Sequence, residues 1–204
     1  MTLPTVAVLV SGRGSNLKAL AETAGSHYRV GLVLADRPCG GIDYAVSHGI
    51  ANEVIRWPDR PDRQRWVQAA VAKIHQTSSV AIACAGFMRI LPAEFLYEVA
   101  VPVLNIHPSL LPLFRGLSPQ RQALAAGVRV SGATVHYVTV ELDAGPIIAQ
   151  QAVPVLPDDD EERLAARILV VEHTLYPQAL AAVVAGRCRL VAGKVQWSDA
   201  WQEN

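Results

Sequence analysis

Apolar positions along the chain fall into short runs that alternate with helical spacings. Residues 6–10 form a β-branched run, Ser11-Gly12-Arg13-Gly14-Ser15-Asn16 follows, and residues 17–21 have helical character. Residues 30–35 read as a second strand ending at Asp36-Arg37-Pro38. Residues 42–48 then make a short helix closed by Gly49, and residues 51–55 a third strand. Asp59-Arg60-Pro61-Asp62 introduces a helix in which Val67, Ala70, Val71 and Ile74 share one face. Residues 80–85 and 99–104 read as buried strands, 113–116 as a loop, and 120–126 as a helix closed by Gly127. Residues 131–138 alternate as a strand does, and residues 147–155 read as an edge strand because Pro154 sits near the end. The acidic residues 157–162 read as the solvated start of a long helix, where the macrodipole favours negative charge. Leu164, Ile168, Val171 and Leu175 form its buried stripe, and Pro177 is expected to kink or break it. Residues 186–191 and 194–197 read as a hairpin around Ala192-Gly193. This alternation predicts an α/β fold with a doubly wound, mostly parallel central sheet and an antiparallel edge. Without repeats or a Pro/Gly/Ser linker, residues 1–204 read as one domain.

Composition narrows the function. Of the 204 residues, 51% are apolar and 18% charged, as in a compact soluble domain. The formal net charge of zero argues against a nucleic-acid partner held by a broad basic surface, but leaves room for a small anionic ligand. Cys39, Cys84 and Cys188 make no Cys-x-x-Cys, and no histidine pair has zinc-ligand spacing, so no metal is expected. Sparse cysteines suit a reducing cytoplasm. Met1-Thr2-Leu3-Pro4 lacks the basic-then-apolar start of a signal peptide, and no apolar run reaches the ~18 residues of a membrane span.

Strand, glycine turn and helix at residues 6–21 form the geometry that sets backbone N–H groups and a helix N-terminus against an anion. Ser15 or Asn16 is expected to cap the helix or donate to a phosphate oxygen. No lysine follows Gly14, as a P-loop would need, and the third glycine of a dinucleotide fingerprint is missing near Leu17. The turn is therefore either a monophosphate site, using Gly12, Arg13, Gly14, Ser15 and Asn16, or a plain strand-to-helix turn.

Polar side chains also stand at strand ends. Asn105 and His107 follow the run at 99–104 two residues apart, so they share a face, and Pro108 ends the ladder. They form either an oxyanion-stabilising pair or a satisfied polar pair. Gly86-Phe87-Met88-Arg89-Ile90-Leu91-Pro92 follows another strand and offers apolar side chains around one arginine. It is either a slot for a flat heterocycle or loop-to-core packing. His136 and Thr134 share a strand face, and His136 reads as a neighbour of the site, not a catalyst. Val140-Glu141-Leu142-Asp143-Ala144-Gly145-Pro146 has the composition of an ordinary turn.

Asn105-Ile106-His107-Pro108-Ser109-Leu110-Leu111-Pro112 resembles the signature of the folate-dependent formyltransferases, which transfer or release the formyl group of 10-formyltetrahydrofolate. Ser11-Gly12-Arg13-Gly14-Ser15-Asn16-Leu17 is similar to the phosphate loop of the branch that formylates glycinamide ribonucleotide in de novo purine biosynthesis. The resemblance runs from Val6 to about Trp197 and implies that family's Rossmann-like fold. It implies catalytic roles for Asn105, His107 and Asp143, the last in a Leu-Asp-x-Gly-Pro loop that pairs with the motif histidine. It assigns Glu172 to the glycinamide ribonucleotide, although Leu169, one turn earlier, replaces a polar residue of some relatives. It assigns Arg63, Met88, Arg89, Ile90, Leu91, Asn105, Val140, Glu141 and Asp143 to the folate, with backbone groups of the 86–92 loop on the pteridine. The branch that formylates a charged tRNA would add a C-terminal domain, and the hydrolytic branch an N-terminal one. A formyl-folate hydrolase and a phosphate-ligand sensor on a degenerate enzyme fold remain the rival readings. Monomer and homodimer are both open.

Overall fold

The computed structural model describes residues 2–58 and 63–198. Asp59-Arg60-Pro61-Asp62, expected to introduce a helix, lies outside the described residues. The chain divides into two compact units, Met1–Leu104 and Asn105–Asn204.

The first unit is built on β1 (Thr5–Val10), whose six residues are all buried. A strand covered on both faces reads as a continuous apolar run, which is what Val6-Ala7-Val8-Leu9-Val10 is. β1 pairs in parallel with β2 (Arg29–Ala35) on one side and β4 (Ala81–Cys84) on the other, and β3 (Ala51–Val54) extends the sheet beyond β2. The strand order therefore reverses between β1 and β4, the kind of switch point where α/β sheets bind ligands. α1 (Ser15–Glu22) and α2 (Gly40–Ser47) make the connections on the β2 side, and α3 (Arg63–Gln76) leads back to β4.

One helix was not expected. α4 (Ala93–Val99) packs against α3, with Phe95 and Val99 buried one turn apart. The strand expected over 99–104 instead begins at Val103. Val99 closes α4, and Ala100 ends it in the left-handed region at φ 51°. A short apolar run is helix or strand by its neighbours, and here the i, i+4 pair decides.

In the second unit β6 (Val130–Tyr137) and β7 (Ile147–Pro154) pair antiparallel, and α6 (Glu161–Val184) packs across both and against α5 (Pro119–Ala125). β8 (Cys188–Val191) and β9 (Lys194–Trp197) form the expected hairpin. β5 (Val103–His107) completes a seven-stranded sheet in the order β3-β2-β1-β4-β5-β6-β7. The mixed sheet, mostly parallel with an antiparallel edge, is the predicted fold class.

Two expectations for α6 are refined. The helix runs unbroken through Pro177, because Leu175, Tyr176, Ala179 and Leu180 are buried around it and tertiary packing outweighs the local cost of proline. The acidic start is solvated as expected, except at Asp159. Asp160 caps the helix by accepting from the Arg163 N–H, while the Asp159 side chain is only 2% exposed. Arg167 donates to both Asp159 oxygens, at 2.7 and 2.8 Å. These hydrogen bonds hold the Asp159 carboxyl down at about 2.

Candidate active site

The two strands flanking the switch point each carry an expected ligand loop at the carboxyl end. Beyond β1, Gly14 sits at the N-cap of α1 in the left-handed region, with φ 82°. Neither Ser15 nor Asn16 caps α1, since both already lie inside it and the cap position makes no side-chain hydrogen bond. A helix beginning on a glycine turn still directs its first-turn N–H groups outward, the geometry that attracts an anion. The two glycines differ in what they leave open. A Cβ on Gly14 would lie 2.8 Å from Gly41 Cα, whereas one on Gly12 would meet nothing within 4 Å. Gly14 thus permits α1 and α2 to approach, and Gly12 borders open space. Arg13 is exposed beside it.

Beyond β4, the loop starting at Gly86 leaves Met88 62% and Ile90 59% exposed, while Leu91 is buried in the core. Of the expected folate residues, then, Met88 and Ile90 offer apolar side chains and Leu91 offers only its backbone. The Arg89 guanidinium turns inward, its Nε donating to Asp36 Oδ2 at 2.7 Å. Arg63 and Arg89 lie 5.6 and 5.8 Å from the centre of the Trp57 ring, within cation–π range. Arg63 Nε is buried with no hydrogen-bond partner among the described residues. An apolar ledge, an aromatic ring and a guanidinium N–H in need of an acceptor suit a flat heterocycle that carries an anionic tail.

In the second unit, β5 and β6 bring the expected catalytic groups together. His107 Nδ1 lies 3.4 Å from Asp143 Oδ2, and the Nε2 of the same ring lies 2.9 Å from the Phe114 carbonyl oxygen. Both ring nitrogens thus face oxygen acceptors. His136 Nδ1 lies 3.0 Å from the Tyr137 carbonyl oxygen, so that nitrogen carries the proton and donates. Burial pushes the His136 ring below its ordinary value, favouring the neutral form. Its Nε2 is then an acceptor, and it receives an N–H from Asn105 Nδ2 at 3.3 Å. Asp143 Oδ1 is 3.8 Å from the same Nε2. Asn105 is hydrogen-bonded to His136, Asp143 is paired with His107, and the two pairs lie side by side with no hydrogen bond between His136 Nε2 and the carboxylate. His136 is the neighbour the sequence pointed to, and it orients the Asn105 amide beside the His107–Asp143 pair.

Asp143 itself sits at φ 48°, in a region that asparagine and aspartate tolerate best among side-chain-bearing residues. It also accepts the Gly116 N–H at 2.9 Å. Sequence reasoning missed the support beneath His107. Thr134 Oγ1 donates to the Ser109 carbonyl at 2.7 Å and accepts from the Leu111 N–H and from Gln150 Nε2, so its hydroxyl is fully used. Gln150 Nε2 also donates to the Leu111 carbonyl. These bonds clamp the backbone after His107 onto β6 and β7. The visible signal was Thr134, two residues before His136 on the same strand face.

The remaining expected residues are more dispersed. Val140 and Glu141 stand exposed after β6, with Glu141 3.6 Å from Arg115. Glu172 is buried in α6, at 6% exposure. Burial pushes the Cys84 thiol up to about 12, so it is no nucleophile at neutral pH. No His/Cys/Asp/Glu group among the described residues could hold a metal ion.

A mostly parallel α/β sheet whose core strand ends in an amide and an imidazole, backed by a buried carboxylate, is equipped for acyl-type group transfer without a covalent intermediate. The chain belongs to the formyl transferase family, whose model matches residues 5–180. It is 44% identical over 194 residues to the trifunctional purine biosynthetic protein adenosine-3 of Drosophila pseudoobscura pseudoobscura, covering 92% of this chain and 14% of that protein. The chain thus spans only a small part of such trifunctional relatives. It is 42% identical over 196 residues to the phosphoribosylglycinamide formyltransferase of Mycobacterium tuberculosis, covering 92% of this chain and 91% of that one. The crystal structure of glycinamide ribonucleotide transformylase 1 from Symbiobacterium toebii superposes with a TM-score of 0.91 at 38% identity, covering 97% of this chain and 95% of that one.

Proposed function

We propose that this chain transfers the formyl group of 10-formyltetrahydrofolate to the amine of 5'-phosphoribosylglycinamide, releasing formylglycinamide ribonucleotide and tetrahydrofolate. The observation that carries this reading is the Asn105 amide, held by His136, standing beside the His107–Asp143 pair. The near end-to-end match to bacterial relatives of that name supports it.

The amine lone pair forms the new bond at the formyl carbon, and the carbonyl electron pair moves onto oxygen. Asn105 has a second Nδ2–H beyond the one given to His136, and it donates to that oxyanion. His107 adds an N–H by exchanging the Phe114 carbonyl for the oxyanion. Collapse breaks the bond to N10 of the folate, and the proton lost by the amine ends on that nitrogen, relayed through water by Asp143. Gly12, Arg13, Gly14, Ser15 and Asn16 hold the substrate phosphate, and Glu172 holds its glycinamide end. Arg63, the 88–91 loop, Val140 and Glu141 hold the folate.

In this reading, residues 1–204 work as one catalytic domain in the cytoplasm on two small molecules, without nucleic acid or membrane. None of the described helices is long and apolar enough to cross a membrane. A turnover assay with and without glycinamide ribonucleotide tests the reading. Formylated product formed only with the acceptor present supports it. Formate release without the acceptor would mean a hydrolase, and binding without turnover a sensor.

A further inference from the structure

Between the glycine turn and the loop after β4 lies a buried carboxylate, Asp36, that no step of the proposed reaction uses. Asp36 directly follows β2, and its side chain is fully buried. A carboxylate in such a place needs charge and hydrogen bonds around it. Arg89 Nε meets Oδ2 at 2.7 Å, and Arg37 Nε lies 3.8 Å from Oδ1. Arg37 Nε also donates to the Ser11 carbonyl at 3.0 Å.

Ser11, 3% exposed, is the first residue of the glycine turn and is engaged at three points. Besides that carbonyl, its N–H donates to the Gly86 carbonyl at 3.2 Å, and its hydroxyl accepts the Met88 N–H at 2.9 Å. The loop carrying Met88 and Ile90 is therefore held from beneath by two groups, Ser11 at Met88 and Asp36 at Arg89. Strand order explains the reach. β2, β1 and β4 are neighbours, so residues just past their carboxyl ends meet across β1.

We propose that Asp36 is a positioning residue for the folate loop. Through Arg89 it sets the backbone of residues 88–91, and through Arg37 and Ser11 it ties that loop to the phosphate turn. Resting on the function proposed above, this predicts that the carboxylate serves donor binding and not the chemical step. Asp36→Asn keeps the shape and removes the charge that holds Arg89. A hydrogen bond to a buried charged group is worth enough that affinity for tetrahydrofolate should fall roughly tenfold.

The test is calorimetric titration of the parent, Asp36→Asn, Arg89→Gln and the double variant with tetrahydrofolate, alongside steady-state kinetics. The expected result is a KM for the formyl donor raised about as much as the folate Kd, with kcat and the KM for glycinamide ribonucleotide within about twofold. The double variant should bind folate no more weakly than the worse single variant, because the two side chains act as a unit. Additive losses, an unchanged folate Kd, or equal losses for both substrates would overturn the proposal. Should Asp36→Asn not fold, Ser11→Ala removes only the Met88 support and must still weaken folate more than ribonucleotide. If the parent binds folate but does not formylate the ribonucleotide, the proposed function fails while the titrations still decide the role of Asp36.

Discussion

Asn105 Nδ2 meets His136 Nε2 at 3.3 Å, and this contact fixes which way the amide faces. The Nδ1 proton of His136 is committed to the Tyr137 carbonyl, so Nε2 of the neutral ring can only accept. The amide nitrogen of Asn105 must therefore be the atom beside it. The order matters because an oxyanion needs N–H donors, and the opposite flip would present a carbonyl to it.

Asn105→Ala removes the proposed oxyanion donor and should leave the strand intact. Loss of one oxyanion donor typically costs about 10²–10³ in rate, or roughly 2.7–4 kcal/mol. Turnover should fall by that order with little change in either Michaelis constant. A loss seen only as a raised Michaelis constant would mean that Asn105 binds substrate and transition state equally.

The His136 contact makes the site sensitive to acid. Burial lowers this ring's pKa below the ordinary value of 6.5, so on acidification the unfolded chain takes up the proton first. The stabilisation is complete above that ordinary value and is lost as pH falls through the folded-state value. Protonated His136 also carries an N–H on Nε2 and repels the Asn105 amide nitrogen. Urea midpoints from about pH 8 down to about pH 5 should decline more steeply for the parent than for His136→Gln, which does not titrate. Parallel declines for the two proteins would remove His136 from the pH response.

The turn proposed to hold the phosphate offers a test that separates ligand space from folding. Gly12→Ala places a methyl where the protein has nothing within 4 Å, so the variant should melt like the parent. Its affinity for glycinamide ribonucleotide should drop roughly tenfold, about 1.4 kcal/mol, while folate affinity holds. Gly14→Val is a different substitution. Its branched Cβ would sit at φ 82° and 2.8 Å from Gly41 Cα, so the melting temperature itself should fall. Calorimetry on Gly12→Ala showing unchanged ribonucleotide affinity would detach the turn from the phosphate.

Much of this was legible in the chain because periodicity reports burial. β1 and β4 stand out since Val6–Val10 and Ala81–Cys84 are apolar on both faces, and Asn105 and His107 interrupt such a run where a ligand would lie. What stayed hidden depended on tertiary partners. Val99 belongs to α4 because Phe95 packs one turn before it, and α6 passes Pro177 because its neighbours are buried. Asp159 looked solvated until Arg167, two turns along α6, closed over it. The Phe114 carbonyl on His107 left no trace in the sequence, since backbone atoms carry no residue signature.

Asp143→Asn asks whether Asp143 is there for its charge or for its turn. The backbone at φ 48° suits asparagine nearly as well as aspartate, so the turn should survive. The amide can also keep most of the contacts. Its oxygen can face the Gly116 N–H and His107 Nδ1, and its nitrogen can face His136 Nε2, which accepts. What is lost is the negative charge beside two imidazoles and the proton acceptor proposed for the attacking amine. Proton transfer by a positioned side chain typically contributes about 10²–10⁴ in rate. Turnover should therefore drop by about 10² or more while the melting temperature stays near that of the parent. Asp143→Ala forces an ordinary side chain into the same left-handed backbone and releases the Gly116 N–H, so it should lose stability as well as rate. Thermal melts and kinetics on the two variants together decide the matter. Full activity in a stable Asp143→Asn protein would leave Asp143 only a turn residue, and His107 would need its catalytic partner elsewhere.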